Sequence, residues 1–64
     1  MTSDEAGRAY LDAVCLYAER VCSMRSAPAI NQAWEQRAVD DARDAMRAAY
    51  RAWIDAIDRA TQAR

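Results

Sequence analysis

The sequence predicts an all-α fold, a two-helix antiparallel hairpin with a long second helix, and predicts that the hairpin dimerises into a helical bundle. Three observations carry this. Sixteen of the 64 residues are Ala, the best helix former, whereas Gly7 and Pro28 are the only residues of their types. No stretch alternates apolar and polar residues, and β-branched residues are sparse, so strands are not expected. A single break, Ser26-Ala27-Pro28, divides the chain. One domain spans 1–64, with a helix over about 4–25, a turn at 26–28 and a helix over about 29–62.

The first helix opens on Thr2-Ser3-Asp4-Glu5. Thr2 at the N-cap with Glu5 three residues on makes a capping box, and the two acids suit the positive end of the helix dipole. Tyr10, Val14, Tyr17, Ala18, Val21 and Met24 follow three-four spacing and share a face, which Leu11, Cys15 and Cys22 widen on one side. Leu16 points almost opposite Val14. The residue before a proline is pushed out of the α region, so this helix stops near Arg25 or Ser26. Ser26 is then a candidate cap for the second helix, with Pro28 in its first turn; Asn31 is the alternative cap, with 27–30 as a linking turn.

Along the second helix Ala recurs every seven residues, at Ala42, Ala49, Ala56 and Ala63, interleaved with Ala38, Ala45 and Ala52. Beside this smooth ridge runs a knobbly one of Val39, Met46, Tyr50, Trp53 and Ile57. Small residues beside large ones along one helix indicate close interhelical packing. Ile30 and Trp34 lie off the main arc. Opposite-charge pairs at Arg37–Asp41, Arg51–Asp55 and Asp55–Arg59 have the spacing for intrahelical ion pairs.

Length makes the case for assembly. At 1.5 Å per residue the two helices span about 33 Å and about 52 Å, so a hairpin leaves part of the second without an intrachain partner. Trp53 and Ile57 fall on that overhang. Leaving them wet forfeits several kcal/mol at roughly 25 cal/mol per Å². Val39, Met46, Trp53 and Ile57 are therefore the expected self-association residues of a homodimer.

The net charge of −1 lacks the electrostatic signature of a nucleic-acid binder, although all nine cations are Arg and none is Lys. That bias fits a GC-rich bacterial or phage genome. The N-terminus has no basic run resembling a signal peptide, and the longest apolar stretch, 13–18, is too short to span a membrane; a cytoplasmic protein without a membrane partner is expected.

No catalytic or cofactor motif is present, and no enzyme activity or cofactor is expected. Cys15 and Cys22 stand about 10 Å apart along the helix, beyond disulfide reach, and two thiols without histidine are too few for a zinc site. They read as small buried packing residues, with a thiol or metal role as a lesser alternative. The paired acids Asp40, Asp41, Asp44, Asp55 and Asp58 read as a solvated face. Arg43, Arg47 and Arg51 form a ladder at four-residue intervals, bordered by Tyr50 and Ile54. Arg beside Tyr and an aliphatic is the make-up of an interface hot spot. These five residues are the expected partner-binding surface. The leading function is a small non-enzymatic interaction module (a regulator, inhibitor or assembly subunit) whose partner is another protein with an acidic surface; a dimeric RNA- or DNA-binding regulator using the ladder is the alternative.

Overall fold

The computed structural model describes residues 2–62 and consists of helix α1 (Ser3–Ser26), one 3₁₀ turn (Ala29–Asn31) and helix α2 (Gln32–Gln62). The helices pack against each other as an antiparallel hairpin, without strands among the described residues. Thr2 caps α1 as expected: its hydroxyl accepts the Glu5 N–H at 3.2 Å, and its carbonyl accepts from Ala6 at 3.0 Å. At the other end Ala27 leaves the α region for φ −74°, ψ 142°, as the residue before proline must, while its N–H still donates to the Met24 carbonyl at 3.2 Å.

The corner differs in detail from the sequence expectation. Ser26 is the last residue of α1 and caps nothing in α2. Pro28 sits outside both helices in an extended conformation, φ −59°, ψ 154°, and its carbonyl accepts the Asn31 N–H at 2.9 Å. The tight turn that results absorbs residues 29–31, so α2 starts at Gln32, after the linking-turn alternative.

The molecule is a rod of 54 × 13 × 12 Å with a radius of gyration of 15.0 Å, against about 11 Å for a spherical chain of this length. A pair of helices buries only one seam of each, and the seam is narrow. On α2 it runs through Val39, Ala42, Met46, Ala49, Trp53 and Ala56; Val39, Ala42 and Ala56 are buried and the others half-buried. On α1 it runs through Ala6, Tyr10, Ala13, Tyr17 and Met24, flanked by Gly7, Val14 and Val21. The heptad alanines therefore face α1, where a larger side chain would hold the helices apart. Ala63, the last of the series, lies outside the described residues.

A narrow seam also explains which residues stay wet. Leu11, Cys15, Ala18 and Cys22 lie beyond it and are exposed. The reading of both cysteines as buried packing residues is thus corrected. The apolar face of α1 is broader than one partner helix can cover.

The overhang is corrected as well. α1 has 24 residues and α2 has 31, an excess of about 10 Å rather than several turns. Ser3 lines a shallow groove with Ile57, Ala60 and Thr61, so α1 covers α2 almost to its end. Trp53 is not on an overhang. Its indole stacks on Tyr10, with centroids 5.6 Å apart and planes at 18°, and Tyr50 meets both rings at 5.4 Å and 6.3 Å. A Cβ on Gly7 would approach Trp53 Nε1 to 3.2 Å, so the one glycine in the chain is the seat of the indole.

Candidate interaction surface

Along one edge of the seam, a flank of α2 carries most of the expected partner-binding residues. Arg47, Tyr50 and Arg51 line a shallow groove of about 290 Å³ together with Tyr10 and Met46. The groove exists because the seam turns Met46 and Tyr10 inward and leaves Tyr50 at the edge, 47% exposed. One turn on, Ile54 and Ile57 are 37% and 38% exposed. The flank is thus an apolar strip bordered by two exposed cations.

Arg43 separates from the ladder. It is half-buried and pairs with Asp40 at 3.3 Å, and Gln36 Nε2 donates to the same Asp40 oxygen at 3.0 Å. That ion pair is the only one among the described residues; Arg37–Asp41, Arg51–Asp55 and Asp55–Arg59 do not form, contrary to their spacing. Exposed pairs gain too little to repay the ordering of two long side chains, unless a further contact holds one partner, as Gln36 holds Asp40. Arg47 and Arg51 make no ion pair or side-chain hydrogen bond among the described residues.

Of the expected self-association residues, Val39 is buried in the intrachain seam, and Met46 and Trp53 are half-buried there. Only Ile57 offers substantial free surface. Sequence reasoning put Tyr10 on the apolar face of α1 and Met46 among the self-association residues, and so missed both as walls of the groove. It also missed Gly7 as a packing residue, although a lone glycine inside an Ala-rich helix was the available signal.

A second apolar spot caps the corner. Ile30 and Trp34 are 86% and 78% exposed, and Trp34 lines a shallow depression with Ala33 and Arg37. Leu16, 42% exposed, borders another with Arg20, Ala38, Asp41, Ala42 and Ala45. No group of three or more potential metal ligands occurs among the described residues. No helix among them is long and apolar enough to cross a membrane.

No protein-family model, curated protein or solved structure matches this chain.

Proposed function

We propose that this protein is a non-enzymatic protein–protein interaction module, a small regulator, inhibitor or assembly subunit of the cytoplasm that binds through the outer flank of α2. One observation carries the reading. Tyr50, Ile54 and Ile57 remain between one third and one half exposed beside Arg47 and Arg51, which make no ion pair among the described residues. Tyr and Arg are enriched at hot spots because each gives large contact area with directional hydrogen bonding, and the aliphatics supply the dry contact beside them. A partner surface presenting carboxylates next to apolar residues is the complement.

The nucleic-acid alternative is weakened by the pairing of Arg43 with Asp40, which leaves two free cations on the ladder of a chain with net charge −1. A photo-crosslinking residue in place of Ile54, tested in the native host, distinguishes the readings. Capture of a protein at position 54, lost when Arg47→Glu and Arg51→Glu are added, is the expected result. Crosslinking to nucleic acid alone, or protein capture indifferent to the two Arg substitutions, contradicts it.

A further inference from the structure

The flank has a charge pattern that answers its own requirement. Between residues 47 and 61, Tyr50, Ile57, Arg47, Arg51, Asp58 and Thr61 lie within about 60° of Ile54 on the helical wheel, with Asp55 at about 100°. Arg43, Asp40 and Gln36, on the same face further toward the corner, engage one another. Between residues 47 and 58 the cations come first and the acids second, mirrored about residue 53; Asp44, one turn before Arg47, mirrors onto the uncharged Gln62. Two copies of α2 laid antiparallel about that level bring Arg47 opposite Asp58, and Arg51 opposite Asp55, twice each. The same register sets Tyr50 against Ile54 and Ile57 of the other copy, in the centre of the contact. Both charged pairs fall on one rim of the apolar strip, since in an antiparallel pair like sides meet. None of these four charged residues makes an ion pair within the chain among the described residues.

Resting on the reading of this flank as the binding surface, we propose that its partner is a second copy of the chain, joined through an antiparallel α2–α2 contact with Arg47–Asp58 and Arg51–Asp55 bridges across a two-fold axis near residue 53. An isologous contact requires a surface complementary to itself, and a charge series that inverts about its midpoint meets that requirement. It also disfavours the parallel arrangement, in which Arg47 faces Arg47 and Asp58 faces Asp58. This interface differs from one built on Val39, Met46 and Trp53, which the hairpin uses for its own seam.

Charge exchange tests it. Sedimentation equilibrium at low salt compares the wild type with Arg47→Glu/Arg51→Glu, with Asp55→Arg/Asp58→Arg, with their equimolar mixture, and with the quadruple variant; circular dichroism verifies that each is helical. The wild type is expected to dimerise, and each double variant to self-associate at least ten-fold more weakly. The mixture restores all four pairs in a heterodimer. The quadruple variant restores them in a homodimer at unchanged net charge. Recovery in both overturns any partner that supplies only acids. Double variants that dimerise like the wild type, or folded variants whose mixture and quadruple combination fail to recover, overturn the proposal. A wild type that stays monomeric at high concentration, while position 54 still captures a different protein in the host, overturns self-pairing and leaves the interaction reading standing. Loss of all protein capture at position 54 removes that reading itself.

Discussion

The two tryptophans of this hairpin lie on the same helix and meet opposite fates. Trp53 rests on Gly7, stacks on Tyr10 and touches Tyr50, whereas Trp34 at the corner is 78% exposed. Residue type does not separate them; their phase on the helix and what lies opposite do. At the open end α1 offers a glycine and a tyrosine at successive turns, a notch and a wall for an indole. Trp34 lies about 100° round α2 from Trp53, off the arc that faces α1, and at its level α1 ends at Ser26 and the extended Ala27-Pro28 segment gives no helical face to receive it. A two-helix rod stabilises a large side chain only where the partner helix supplies a small residue at the right level.

That contrast orders the effects of substitution. The largest is Trp53→Ala, which empties the aromatic cluster and costs about 3 kcal/mol or more, enough to unfold much of so small a domain. Thermal melting followed by circular dichroism reads it directly. Gly7→Leu attacks the same contact from the other side. Its side chain claims the space of the indole and costs about 2 kcal/mol through overpacking, despite the helix propensity gained. If it melts like the wild type, Gly7 is not the seat of Trp53. Thr2→Ala removes the cap that starts α1 beside the cluster and costs about 1 kcal/mol, measured as a shift in urea midpoint. Trp34→Ala lies at the bottom of the scale. It changes stability by less than about 0.5 kcal/mol, because almost no contact is lost. A large loss there would mean that the corner is covered.

Much of this architecture was legible in the residues. The heptad alanines marked the packing face of α2, although Val39, Met46 and Trp53 beside them were assigned to self-association and not to the intrachain seam; Thr2 and Glu5 marked the start of α1, and Pro28 marked the break. Register was not legible. Nothing local to Trp53 says that Gly7 stands opposite, so an estimate from helix lengths alone left the indole on an overhang. The width of the buried stripe was also misjudged on α1. Cys15, Ala18 and Cys22 have the spacing of an amphipathic face, but spacing does not state how many neighbours a helix has. For the binding surface, the sequence singled out Arg47, Tyr50, Arg51 and Ile54 together. It could not show that Asp40 and Gln36 draw Arg43 away, because that depends on which of several weak exposed pairs forms.

The chain closes its own aromatic seam, through Gly7, Tyr10, Tyr50 and Trp53, and the proposed binding flank of α2 lies along its outer edge. Dilution of a Trp34→Phe variant, in which Trp53 is the only tryptophan, tests it most directly. Emission of Trp53, its quenching by iodide and the helicity are followed from high micromolar to nanomolar concentration, alongside the molecular mass. Shielding of Trp53 and helicity that persist unchanged after the mass has fallen to that of a monomer are the expected result. An emission red shift and loss of helicity that track dissociation would put Trp53 in an intermolecular interface and contradict the account.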